Sequence, residues 1–236
     1  MKIAIMQPYF FPFLGYFGLI KNTDRWIVFD TPQFIRQGWM DRNRILKPKE
    51  GWQYIRVPLK KHSRDTATKD IEIRNDENWV ETIFAKLTLY KNVAPYYDET
   101  IELLNGIFSE KFDSLTELNC HITGKICEFT GIEWNYSVFS KMDLKIEEVK
   151  APDEWALNIC KSIGNIDEYW NPPGGIDFFD RSKYENSKIG LKFYNQILRP
   201  YNQKRNVFES GLSIIDVLMF NSTAQIKKML NEYEIL

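Results

Sequence analysis

The chain has 236 residues, 44% hydrophobic and 27% charged, which excludes a disordered or low-complexity protein and supports a buried core. With 31 Lys and Arg against 32 Asp and Glu, its net charge of −1 excludes a protein built as a whole to coat nucleic acid or an anionic membrane. Aromatic residues make up 15%, more than a soluble surface tolerates, so most rings belong to a core.

Along the chain, KIAIM (2–6) is a short apolar run ending at Gln7-Pro8, the shape of a buried strand that stops where proline would spoil the ladder. GYFGLIK (15–21) predicts a short helix, and RWIVF (25–29) a second strand ending at Asp30; strand, helix and strand outline a right-handed βαβ unit. Residues 31–50 read as irregular. QYIRVPL (53–59) alternates like an edge strand, with DIEIR (70–74) as its expected partner. From 75 to 131 the period becomes helical: a first helix from Asp76 or Asn78 carries Trp79, Ile83, Leu87 and Tyr90, a second covers 97–108, and Ser114 caps a third that ends at Gly131. Beyond it, 134–139 reads as strand, 152–163 as helix, 167–170 and 189–194 as strands, and 212–220 and 223–233 as helices. The expectation is one α/β domain over 1–236, a Rossmann-like, mostly parallel sheet with a helical insertion near 75–131.

No window reaches the ~18 uncharged apolar residues of a membrane span. The run after Lys2 is broken by Pro8 and lacks a signal-peptide core and cleavage site. Cys120, Cys127 and Cys160 are odd in number and show no CxxC spacing, which points to a reduced, cytoplasmic compartment.

Charge is unevenly spread. Residues 36–64 hold nine Lys and Arg against Asp41 and Glu50, a local charge of +7 within a chain of −1. Interleaved with Trp39, Trp52 and Tyr54, such a field suits an anion carrying a ring, although a solvated loop face is the bland reading. Arg42-Asn43-Arg44 is the sharpest part, because guanidinium pairs bidentately with phosphate and an amide reads a base or sugar edge. Lys60 and Lys61 extend it. In open α/β sheets ligands sit beyond the carboxyl ends of strands, so parallel neighbours would bring Gln7, Tyr9, Asp30 and Gln33 to one rim, with Tyr16 just behind. Asp30 is a candidate general base there, or a loop cap. Of the two histidines, His62 lies in KKHSR and is a candidate base, whereas His121 reads as a helix residue. Pro172-Pro173-Gly174-Gly175 forms a tight turn able to bring amides to a ligand, and Asp216 in LSIIDVLMF reads as a buried hydrogen-bonding residue. No HxxH, HExxH or cysteine cluster offers a metal site, and GxSxG, GxGxxG and GxxxxGK[ST] are absent.

MQPYFFPFLGYFGLI, DRWIVFDTPQF, GWMDRNRI, IRVPLKK and LSIIDVLMFNS, in that order and nearly end to end, resemble the WbqC-like protein family. That resemblance implies a place in surface-polysaccharide and O-antigen biosynthesis, among genes that build unusual amino sugars. The expected substrate is then a nucleotide-linked amino sugar, and the expected reaction N-acyl or aminoacyl transfer to its amine. Asp30 or His62 would take the amine proton, Tyr9 or Trp39 would stack on the base, and the basic segment would hold the diphosphate. No cofactor is firmly implied, the acyl or aminoacyl donor is unnamed, and RNA is a possible aminoacyl donor. The layout at the N-terminus is also similar to nucleotidyl-transferring, HUP-like folds, but Leu14-Gly15-Tyr16 keeps only the glycine of their His-x-Gly-His signature. A nucleotidyl or adenylate-forming transferase, or a non-catalytic sugar-nucleotide-binding protein, are the alternatives.

Overall fold

Apolar runs of four or five residues are too short for buried helices and satisfy their backbones by pairing with one another. A computed structural model describes residues 1–236. Its first half runs β1 (Lys2–Met6), α1 (Leu14–Lys21), β2 (Arg25–Val28), β3 (Arg42–Leu46), β4 (Trp52–Arg56), α2 (Trp79–Leu87), α3 (Tyr97–Phe108) and α4 (Leu115–Thr130). The second half runs β5 (Tyr136–Val138), α5 (Glu154–Ile163), β6 (Glu168–Asn171), α6 (Arg181–Asn186), β7 (Gly190–Gln196), α7 (Ile214–Phe220), α8 (Thr223–Met229) and β8 (Tyr233–Ile235).

Six strands form one sheet in the order β5-β2-β1-β6-β7-β8. β1 pairs in parallel with β2 on one side (Ile5 opposite Ile27) and with β6 on the other (Ile3 opposite Tyr169). Only β8, at the far edge, runs antiparallel to its neighbour. Counting the sheet's own strands in chain order gives 3-2-1-4-5-6, the doubly wound arrangement, so the expected Rossmann-like α/β class is the one found. The two-residue period sends Ile3, Ile5, Ile27, Tyr169, Leu191 and Phe193 to one face, under α5 and α6. Ala4, Trp26, Val28, Trp170 and Tyr194 face the other way, into a larger core shared with α1, α4 and α7. No helix is long and apolar enough to cross a membrane.

Between β2 and β5 lie the β3–β4 hairpin and helices α2 to α4, whose buried residues join that larger core. Four boundaries differ from the sequence reading. β3 falls in the stretch expected to be irregular, and it, not 70–74, pairs with β4, placing Arg42 opposite Arg56 and Arg44 opposite Tyr54. Segment 70–74 makes only single bridges, Ile73 to Leu59 and Glu72 to Ser114. The C-terminal helix stops at Met229, and β8 follows instead of a further turn. α6, which the sequence reading left out, starts where the Asp180 carboxylate accepts the Ser182 amide at 2.9 Å.

Two contacts hold these layers in place. α1 lies so close to β7 that a Cβ at Gly18 would come within 2.2 Å of both Tyr194 Oη and Gln196 Oε1. Gly18→Ala is expected to cost about 1–3 kcal/mol by overpacking, read as a fall in Tm of roughly 2–4 °C per kcal/mol. An unchanged Tm would contradict that packing. The second contact is Asp216 on α7, 0% exposed, which accepts from Tyr90 Oη at 2.7 Å, Tyr201 Oη at 2.5 Å and Gln203 Nε2 at 2.8 Å. Burial pushes its carboxyl up, against the pull of these three donors. Asp216→Ala orphans all three donors at about 1–3 kcal/mol each. Denaturant titration should therefore show a loss of several kcal/mol, and a loss below 1 kcal/mol would mean that water replaces the carboxylate.

Candidate functional site

In a doubly wound sheet the connections from two adjacent strands leave in opposite directions, and a crevice opens at their carboxyl ends. Here those strands are β1 and β6, ending at Met6 and Asn171. A cleft of about 420 Å³ lies at that point. Its lining includes Tyr9, Tyr16, Trp39, Asn43 and Arg44 from the first part of the chain, and Pro172, Pro173, Tyr194, Gln196 and Gly211 from the last.

The wall formed by residues 7–13 is held by groups distant in sequence. Pro8 and Pro12 have no amide hydrogen and cannot continue a ladder, so the loop leaves the sheet with its carbonyls unpaired. Asn119 Nδ2 donates to Pro8 O at 3.0 Å and to Met40 O at 2.8 Å. Asn43 Nδ2 donates to Phe10 O and Phe11 O, at 3.1 and 2.9 Å. Ser213 Oγ adds a bond to Phe11 O at 2.9 Å, fixing a residue at φ 41°. Tyr16 Oη donates to Gln7 O at 3.0 Å, and the Tyr9 and Tyr16 rings lie 5.6 Å apart. Burial raises both phenols, Tyr16 strongly, so each stays protonated and acts as a donor, not a base, near neutral pH.

Arg44 is the cation of the cleft. Its guanidinium carbon lies 5.2 Å from the Trp39 ring centre and 5.1 Å from that of Trp52. One Nη donates to Gly211 O at 3.2 Å, while Nε is buried without a partner. Asn43, expected to read a ligand edge, is 4% exposed and has both amide hydrogens engaged by the loop; its Oδ1 accepts the Arg44 amide at 2.8 Å.

A second, larger cleft of about 750 Å³ opens on the other side of segment 36–44, lined by Arg36, Gln37, Asp41, Arg56, His62, Trp79 and Lys86 among others. His62 Nδ1 faces Lys60 O at 2.9 Å, an acceptor, so that nitrogen carries the hydrogen; Nε2 is buried and unpartnered, as is Asp41 Oδ1. Burial pushes the Asp41 carboxyl up despite nearby Arg42, Arg56 and His62, and burial together with Arg56 lowers the Lys86 ammonium.

The residues expected on one rim therefore separate. Gln7 follows β1, half-buried, and does not itself line the first cleft, although Met6 and Tyr9 on either side of it do. Asp30 is 1% exposed and its carboxylate accepts Ser140 N at 3.0 Å and Ser140 Oγ at 2.6 Å, the cap reading of that residue. Gln33 points outward and donates to Arg64 O at 2.7 Å. Arg42 donates to Gly38 O and Gln37 O and lies over Tyr54. Lys60 pairs with Glu72 at 2.6 Å, and Lys61 is exposed. Neither Asp30 nor His62 lines the β1–β6 cleft. Tyr194, Gln196 and Gly211 were missed as lining; the alternation of β7 signalled only a strand. Asp41 does carry a signal in the sequence, as one of only two acids among nine cations.

The model of the WbqC-like protein family matches residues 7–228, a span that contains the larger cleft, the lining of the smaller one apart from Met6, and every strand of the sheet except β1 and β8. Over 226 residues the chain is 27% identical to the uncharacterized protein Rv1507c of Mycobacterium tuberculosis, covering 95% of each chain. No solved structure matches it. With nearly its whole length accounted for by the family model, the chain belongs to the WbqC-like protein family.

Proposed function

We propose that the cleft between β1 and β6 binds a nucleotide-linked amino sugar, and that the protein serves surface-polysaccharide synthesis by acyl or aminoacyl transfer to the sugar amine. The observation that carries the reading is a cation held between tryptophans at the switch point of a 3-2-1-4-5-6 sheet. Arg44, with its unpartnered Nε, would take the diphosphate; Tyr9 or Trp39 would stack on the base. In the transfer the neutral amine attacks the donor's carbonyl carbon, the C–N bond forms, the bond to the donor's leaving group breaks, and the amine's proton passes to a base. A cytoplasmic setting suits this reading, because the three buried cysteines are unpaired and burial raises each thiol to about 12.

A second reading, binding without turnover, is favoured by the lining itself: it holds phenols, amides and one guanidinium, but no carboxylate or imidazole to accept that proton.

Calorimetric titration with a uridine- or thymidine-diphosphate amino sugar tests the binding. Arg44→Ala should weaken it by about 10–150-fold, the equivalent of a charged hydrogen bond worth roughly 1.5–3 kcal/mol. Tyr9→Ala should weaken it by about 5-fold or more if the ring carries a base. Absence of binding by the folded wild type, or wild-type affinity in both variants, would falsify the proposal. Mass spectrometry of the sugar after incubation with acyl-thioester or aminoacyl donors separates the readings: a gain in mass supports transfer, and binding without gain supports the second.

A further inference from the structure

The outer face of the β3–β4 hairpin carries more uncompensated charge than its fold requires. Arg42 stands directly opposite Arg56 in the ladder, and like charges in that position destabilise a sheet. Of the nine cations in 36–64, only Lys60 has a carboxylate partner. The aromatic rings lie among the guanidiniums. Arg42 and Arg56 lie 4.2 and 5.2 Å from the centre of the Tyr54 ring, and Tyr54 packs 5.0 Å from Trp52, which is 38% exposed. Past the turn of the hairpin the basic band continues into a cleft of about 560 Å³ lined by Lys47, Lys49, Lys204 and Arg205, with Glu50 and Glu209 as its acids.

We propose that this face binds single-stranded nucleic acid, with phosphates on Arg42, Arg56 and the lysines at the turn, and bases on Tyr54 and Trp52. A strand of five residues spans roughly 17 Å, room for several phosphates in a row where a mononucleotide needs a single pocket. Stacking platforms beside a cationic track are what a flexible polyanion with planar bases requires, whatever its sequence. An anionic membrane would satisfy the cations, but insertion asks for a contiguous apolar patch, and here the two rings are set among arginines. The inference shares Trp52 with the nucleotide-sugar reading, where that ring flanks Arg44, but Tyr54 and Arg56 do not line the β1–β6 cleft, so variants there separate the two.

The test is fluorescence anisotropy with short labelled oligouridylate and oligothymidylate, between about 50 and 200 mM salt. Binding to either oligomer supports the proposal, and their ratio tells whether RNA or DNA is preferred. Tyr54→Ala should weaken binding about 5–150-fold, as expected for a lost base stack, whereas Tyr54→Phe keeps the ring and should bind like wild type. Arg56→Ala should flatten the salt dependence by about 0.7 in the log–log slope, one phosphate contact on a single strand. Far-ultraviolet circular dichroism and the nucleotide-sugar titration, unchanged in these variants, show that the fold survives. The proposal is overturned by absence of binding at low salt. It is equally overturned if polyphosphate or phosphatidylserine vesicles displace the oligomer while Tyr54→Ala binds normally, for then the face recognises charge alone.

Discussion

The organisation around the cleft depends on backbone carbonyls that the sheet leaves unpaired. After Met6 the chain turns through two prolines, and the carbonyls of Gln7, Pro8, Phe10, Phe11 and Pro12 must find donors elsewhere, because a buried carbonyl without one is costly. The donors come from four different parts of the molecule: Tyr16 of α1, Asn119 of α4, Asn43 of β3, and the start of α7, where Ser213 and the backbone amide of Ile214 (at 2.9 Å) both serve the loop. The loop thus acts as a hub. Sheet, helical insertion and hairpin share one orientation because all three answer the same stretch of backbone. This also explains why Asn43 cannot serve a ligand with its amide hydrogens.

The same economy appears behind the hairpin. Leu46 closes β3 by donating its amide to Tyr90 Oη at 3.0 Å, and that hydroxyl in turn donates to Asp216. A single buried carboxylate therefore joins the hairpin, the segment after α2, the 201–203 loop and α7. Such a network is worth more intact than the sum of its pairs, and partial loss is worse than replacement by apolar groups. Arg44 emerges from this anchored strand, which is why a long flexible side chain has a defined place beside the cleft.

Much of the framework was legible in the sequence, for local reasons. β1 and β2 are apolar runs stopped by proline or aspartate, and α4 shows both its Ser114 cap and its Gly131 end. β3 escaped because its inward positions are Asn43 and Ile45 while its outward ones are arginines, so apolar alternation never appears. β8 escaped because it begins three residues after Leu230, where the helical period still reads plausibly, and its pairing with β7 is visible only in three dimensions. The site divides in the same way. Tyr9, Tyr16, Trp39 and Arg44 were legible because they follow strand ends or lie in the basic run. Tyr194 and Gln196 reach the cleft because β7 lies beside β6 and α1 packs on it without a Cβ at Gly18, and Gly211 because its carbonyl accepts from Arg44. Asp30 and Gln33 follow β2 as expected, but the chain bends away there, and Ser140 and Arg64 take up their polar atoms.

Segment 36–44 links the chemistry of the two clefts. Its residues alternate between them: Arg36, Gln37 and Asp41 face the larger cleft, and Trp39, Asn43 and Arg44 the smaller. One short stretch therefore forms a common wall, pinned at Met40 by Asn119 and at Asn43 by the proline loop. The local charge of +7 is concentrated on this wall and the hairpin beyond it, in a chain that is otherwise acidic. Fold stability alone gives no reason for that placement, since like charges gathered on one ribbon oppose folding. The anionic ligands proposed for the cleft and the hairpin would give one, because their binding would remove that repulsion.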